Sequence, residues 1–180
     1  MNQIDPKFTS RFQRSIRIDT DFANLGIIET FVGSETANKT IIEVCEHIQN
    51  GQQAFTWTGA YGSGKSSLAL ILHGSLSHKN TELYKKSLTL VSPKAQNAIT
   101  STFQKFSKRL VLPIVAGKSN IEKLIWENLR NQTNFDPKIT SLTEALTEVS
   151  KKQQLVIIID ELGKYLEYAS ATNQDIMFLQ

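Results

Sequence analysis

The sequence predicts an α/β fold in which a parallel sheet carries helices on both faces. Three observations predict it. Short apolar and β-branched runs alternate with stretches of helical spacing. Residues 155–159, Leu-Val-Ile-Ile-Ile, are apolar at every position, as a central parallel strand must be. A glycine-rich turn over residues 59–66 lies between a candidate strand and a candidate helix, where open parallel sheets hold their ligands.

The elements follow in order. Residues 1–35 are poorly periodic and are broken by Pro6, Gly26 and Gly33. They read as an N-terminal arm over the core, with short helix or strand pieces. Residues 36–180 read as the α/β core itself. Residues 36–49 place Ile41, Val44, Cys45 and Ile48 at helical spacing, and Asn50-Gly51 closes that helix. Residues 53–58, Gln-Ala-Phe-Thr-Trp-Thr, read as a strand with Trp57 in the core. After the glycine turn, residues 66–77 set Leu68, Leu72 and Leu76 a helical turn apart. Residues 88–91 are a short strand candidate, and 95–110 an amphipathic helix through Ile99, Phe103, Phe106 and Leu110.

Residues 110–116 read as a buried strand, although Pro113 cannot donate to a ladder and argues against a regular central position. Ser119 with Glu122 has the spacing of a capping box before Ile121, Leu124, Ile125, Trp126 and Leu129. Ser141 with Glu144 repeats the signal before Leu142, Ala145, Leu146 and Val149. A last helix runs from Tyr165. The order is β-α-β-α-β-α-α-β-α, and right-handed crossovers put every strand's C-terminal end on one edge. Residues 175–180 are apolar and uncapped, so the natural chain is expected to continue past Gln180.

Composition narrows the class. The 180 residues are 40% hydrophobic and 21% charged, which suits one globular domain. The net charge of +3 comes from scattered lysines and arginines, a solvated surface rather than a nucleic-acid stripe. Cys45 is the single cysteine, which excludes an intrachain disulfide and reads as a small core residue. No secretory h-region and no run of about 18 apolar residues is present. A cytoplasmic protein with no membrane partner is expected.

The chemistry lies in two motifs. Gly59-Ala60-Tyr61-Gly62-Ser63-Gly64-Lys65-Ser66 matches G-x-x-x-x-G-K-[ST] throughout. Such a loop wraps a phosphate in consecutive N–H groups, which needs backbone conformations open to glycine. It then feeds a helix whose N-terminus favours an anion. Residues Gly59, Ala60, Tyr61, Gly62, Ser63, Gly64, Lys65, Ser66 and Ser67 are the expected ATP contacts. Lys65 would reach the β- and γ-phosphates, and Ser66 would ligate Mg²⁺. Gly117-Lys118-Ser119 repeats three of the letters, but Leu112 stands where the first glycine is needed, so no cradle is expected there.

The second motif is Asp160-Glu161, about ninety residues on, at the end of the apolar run. An acid in that place holds Mg²⁺, and an adjacent glutamate can deprotonate the attacking water. Asp160 is assigned to the metal with Ser66, and Glu161 to catalysis with Lys65. His47, His73 and His78 have no ligand spacing, so no further metal is expected. Arg109 and Arg130 are arginine-finger candidates by type alone, with ordinary surface arginines the stronger reading. Phe31 and Val32 are either adenine contacts or anchors of the arm.

The strand–GAYGSGKS–helix unit, together with LVIIIDE, resembles the AAA+ and STAND-type P-loop ATPases. The wording of residues 58–70 and 159–169 is similar to large bacterial ATP-binding proteins, several associated with phage-defence loci. The resemblance implies an AAA+-like P-loop NTPase core with strand order 5-1-4-3-2, incomplete at the C-terminus of this chain. It implies an ATPase (ATP and water to ADP and phosphate) that couples hydrolysis to conformational change or assembly, in antiviral defence or DNA transactions. A homo-oligomer and a nucleic acid stay open as partners. Two alternatives are carried with it: a nucleotide-gated binding or scaffold module with little turnover, and a P-loop small-molecule kinase. The kinase would need an arginine-rich lid, and no arginine cluster is visible.

Overall fold

Helix starts are written locally where a Ser, Thr or Asn side chain accepts the backbone N–H three residues on. The structure, a computed structural model, describes residues 15–104, 108–174 and 176. Two single-turn helices, α1 (Ile18–Asp21) and α2 (Leu25–Ile28), lie in the arm, the second capped by Asn24. Ser34 caps α3 (Glu35–Gln49). Helix α4 (Lys65–Leu76) follows the glycine turn without a side-chain cap. Thr81 caps α5 (Glu82–Thr89), and Ser92 caps α6 (Pro93–Phe103), where Pro93 fits the start because it has no N–H to lose.

Strand β1 (Arg109–Val115) comes next, then α7 (Ile121–Gln132), capped by Asn120, and α8 (Leu142–Lys152), capped by Ser141. Strand β2 (Gln154–Asp160) and the uncapped helix α9 (Leu162–Ala171) complete the order. The strands pair in parallel, with Leu112 opposite Ile157 and Val115 opposite Asp160. Among the described residues this two-stranded sheet is the only one.

Strand periodicity divides the core in two. Val111, Val156 and Ile158 join one cluster with Ile41, Cys45, Leu68, Ile71, Leu72, Ile99 and Phe103, from α3, α4 and α6. Leu110, Leu112, Ile114, Leu155, Ile157 and Ile159 join the other, with residues of α7, α8 and α9. Helices therefore cover both faces of the sheet. Ile18 packs on Ala69 and Leu70, and Ile28 on the α3–α4 cluster, so both arm helices are anchored. No helix among the described residues is long and apolar enough to cross a membrane.

Several expectations are corrected. Residues 53–58 form no strand: they are exposed except for half-buried Trp57 and make no ladder. Alternation and β-branching suit a strand, but a strand exists only against a partner, and β1 and β2 are paired with each other. Residues 88–91 form no strand either. Leu88 and Thr89 finish α5, Leu90 is its C-cap, and Val91 packs from the turn. Short apolar runs do not distinguish strand from helix, and the Thr81 cap decides this one. The helix expected over 95–110 ends at Phe103, with Phe106 outside the described residues. The start of α7 shifts by one residue: Asn120 accepts the Lys123 N–H at 2.9 Å, in place of Ser119. Pro6 and most of 175–180 also lie outside the described residues.

Pro113 does lie within β1. Ala116 donates its N–H to Asp160 and Lys108 accepts the N–H of Gln154, so the even-numbered residues of β1 face β2. The nitrogen of Pro113 therefore faces the other edge, where β1 has no strand neighbour among the described residues. A proline there removes no ladder bond and blunts the outer edge. On β2 the same alternation turns the backbone groups of Leu155, Ile157 and Ile159 away from β1. Every residue of β2 is only half-buried.

Candidate functional site

The glycine turn owes its shape to its own letters. Gly62 and Gly64 have φ of 77° and 86°, which side chains strongly disfavour. Gly64 is the N-cap residue of α4 and has no side chain to satisfy the first-turn N–H groups. Those donors are left for water or a ligand. The Lys65 ammonium folds back over the loop, donating to the carbonyl oxygens of Gly59 and Ala60 at 2.9 Å each and to Ser63 Oγ at 3.4 Å. Ser63 N–H closes the turn on the Ala60 carbonyl at 3.2 Å. Gly59, Ala60, Tyr61, Gly62, Ser63 and Gly64 are exposed, while Lys65, Ser66 and Ser67 are half-buried. Tyr61, at 83% exposure, touches the arm through a 3.0 Å hydroxyl bond with Ser15. Nothing in the sequence signals that bond.

Behind the loop, α4 is buried on all sides, with nine consecutive residues from Leu68 to Leu76 inside. Ala69 and Leu70 share a cluster with Val115 and Ile158 near the C-terminal ends of the strands. The loop's helix is thus packed against the strand that ends in Asp160.

At that strand end the chain turns sharply. Glu161 has φ 58° and ψ 27°, a left-handed conformation that costs a non-glycine residue roughly 1–2 kcal/mol. Its N–H donates to Asp160 Oδ1 at 2.9 Å. Its carboxylate meets Lys164 Nζ at 3.0 Å, one turn into α9. The Glu161 hydrogen bond, helped by the charge of Glu161 and more weakly by Tyr61 and Asp160, holds the Lys164 ammonium above the ordinary lysine range. Lys164 is therefore within electrostatic reach of both motifs. Sequence reasoning missed it, although its position three residues after Glu161 on a helix was a readable signal.

The residues present fit Mg·ATP by the chemistry of their donors. The left-handed glycines and uncapped first turn of α4 suit an anion, and Lys65 supplies the countercharge. Among the described residues no group of three or more His, Cys, Asp or Glu could hold a metal. Mg²⁺ needs no such group, since it is held by one or two protein oxygens plus phosphates and water. Ser66 and Asp160 offer those oxygens.

Other candidates fall elsewhere. Arg109 begins β1, at the end of the sheet opposite Asp160. Arg130 lies over the Trp126 ring at 5.5 Å, and Trp126 packs edge-on to Phe135. Phe31 packs into the α3–α4 cluster, whereas Val32 is 78% exposed. Cys45 is buried, and burial pushes its thiol up from the ordinary range. No protein-family model, curated protein or solved structure matches this chain.

Proposed function

We propose that this chain is the nucleotide-binding module of an AAA+/STAND-like P-loop ATPase, binding Mg·ATP at residues 59–67 and hydrolysing it with Glu161. The observation that carries the reading is the loop: left-handed Gly62 and Gly64, an uncapped α4 and Lys65 turned onto the loop's own carbonyls. Lys65 is the group that would exchange those carbonyls for phosphate oxygens. The loop N–H groups and Ser67 bind the phosphates, and Ser66 and Asp160 hold Mg²⁺. Bound there, Mg²⁺ supplies charge neutralisation to the phosphates. Glu161 takes a proton from water as its oxygen bonds to the γ-phosphorus, and the bond from that phosphorus to the β–γ bridging oxygen breaks, leaving ADP.

The sheet supports the same reading. In the order 5-1-4-3-2, strands two and three are neighbours and strand two is an edge. The β1–β2 pair, with Pro113 blunting the outer side of β1, agrees with those two places. In that order the strand before the loop pairs with strands four and five, one and two places beyond β2 in sequence, and neither lies within the described residues. Residues 53–58 accordingly have no ladder to join. Coupling of turnover to conformational change, assembly or defence rests on the resemblance alone. A second reading, nucleotide binding with little turnover, is favoured by one observation: the base is engaged by Lys164.

The test is nucleotide binding and phosphate release on wild type, Lys65→Ala and Glu161→Gln. Lys65→Ala is expected to weaken Mg·ATP binding by about tenfold to a hundredfold, the worth of a charge-assisted bond. Glu161→Gln is expected to keep binding and lose release. Wild-type affinity that Lys65→Ala leaves unchanged would overturn the site. Binding without release in the wild type would select the second reading.

A further inference from the structure

We propose that the chain carries a second anion site, remote from the glycine loop, that binds a dianionic phosphate group, free or as a monoester, between Lys79 and Arg109. It lies where the end of α4, helices α5 and α6 and the start of β1 meet, and it does not depend on the nucleotide reading. A cavity of about 10 Å³, the room of a single water, is found there. Its lining grades from inside to outside. Ser75, Ile99 and Phe103 are buried, Tyr84 and Arg109 are half-buried, and Lys79 is exposed. The cavity is thus a notch that admits one oxygen, with its mouth at Lys79.

Three observations carry the inference. Ser75 is wholly buried, and its Oγ has no hydrogen-bond partner among the described residues. A buried hydroxyl left that way destabilises the fold, and an oxygen seated in the notch would accept its proton. Arg109 is half out of water, yet neither it nor Lys79 makes an ion pair among the described residues. Partly buried arginines are ordinarily paired, and burial pulls this guanidinium below the ordinary arginine range, with Tyr84 offsetting part of the effect. Lastly, no Asp or Glu lines the cavity, so its two cations have no carboxylate beside them there. A water would satisfy Ser75 and neutralise neither cation. A carboxylate would bring one charge. A dianionic phosphate brings two: one oxygen enters toward Ser75, and the others meet the guanidinium fork and the ammonium. The site lies at the end of the sheet opposite Asp160, so its ligand would not displace Mg·ATP.

The experiment is a titration with inorganic phosphate at about pH 8, where a phosphate group carries close to two charges. It is followed by amide and arginine side-chain NMR in the Lys65→Ala background, which weakens the glycine loop as a competing phosphate site. Saturable shifts are expected at Ser75, Tyr84 and the Arg109 Nε–H. Singly charged dimethyl phosphate should bind about tenfold more weakly. Methyl phosphate separates the sources: shifts like those of the free ion assign the site to monoesters as well, and no shifts assign it to the free ion alone. Lys79→Met and Arg109→Met should each weaken binding about tenfold, the worth of a charge-assisted bond. Lys79 is exposed, so Lys79→Met keeps the fold and carries the test by itself if Arg109→Met does not. Ser75→Ala should weaken phosphate binding yet leave the phosphate-free chain no less stable in urea, because its hydroxyl has no partner to lose. Shifts that never saturate, or that survive both Lys79→Met and Arg109→Met unchanged, would overturn the site and leave a notch that holds water. Equal binding of dimethyl phosphate would overturn the dianion. Neither result touches the nucleotide reading, which the effect of Lys65→Ala on Mg·ATP binding tests separately.

Discussion

Two kinds of helix start coexist in this chain. Helices α3, α5, α6, α7 and α8 each begin on a Ser, Thr or Asn whose side chain closes the first turn. Helices α4 and α9 begin on left-handed residues, Gly64 and Glu161, with no side-chain cap. The first group is finished by its own sequence. The second leaves donors open, and it follows the two motifs singled out for chemistry. The two helices that begin on left-handed residues also differ from each other. Helix α4 is buried along nine consecutive residues, whereas α9 buries Tyr165 and Ala169. What α4 lacks in capping it recovers in burial.

The largest expected effect attacks that burial. His73, in the last turn of α4, is 7% exposed, packs edge-on to Phe22 and has no partner for Nδ1 among the described residues. Burial lowers its pKa from 6.5 to about 4. The unfolded chain therefore takes up this proton near pH 6.5 and the folded chain only near pH 4. Between those values the unfolded state binds more protons, so stability is whole above pH 6.5 and drains as pH falls toward 4. The loss attributable to His73 is about 3 kcal/mol. Urea unfolding at steps from pH 7 to 4 should show it, and His73→Leu should flatten the slope. An unchanged slope in His73→Leu would mean that the burial of α4 is not what His73 titrates against.

The next effect separates strain from function. Gly51 and Gly64 both have positive φ, 93° and 86°, and a Cβ at either would meet nothing within 4 Å among the described residues. Alanine should therefore cost each the same, roughly 1–2 kcal/mol of left-handed strain. Only Gly64→Ala should also weaken Mg·ATP binding, because only Gly64 shapes the turn before Lys65. Equal losses of stability with equal affinities would put the loop on the same footing as an ordinary helix end.

How much of this was legible in the sequence follows the same division. The loop could be read from its letters because glycine at Gly62 and Gly64 is a local backbone requirement. The strands β1 and β2 could be read because each is a long apolar run, and even Pro113 is harmless once its nitrogen faces the outer edge. Residues 53–58 could not, since pairing depends on what lies alongside. Leu88 and Val91 could not, because so short a run, three apolar residues and Thr89, fits a helix end as well as a strand. Lys164 was readable by spacing, but its bond to Glu161 needed the left-handed turn to be seen first. Local requirements are written locally, while partners are not.

The smallest effect tests the capped group, and so the comparison itself. Ser141 Oγ accepts the Glu144 N–H at 3.2 Å and begins α8, on the face of the sheet away from α4. Ser141→Ala should lower the free energy of unfolding by about 1 kcal/mol, the usual worth of such a cap. It should leave Mg·ATP affinity where it was, because α8 packs on the face of the sheet away from the loop's helix. Paired denaturation and binding measurements on Ser141→Ala and Gly64→Ala then ask one question twice. If Ser141→Ala disturbs binding as much as Gly64→Ala does, capped and uncapped starts are not functionally distinct. The open first turn of α4 would then be a consequence of packing rather than a place for phosphate.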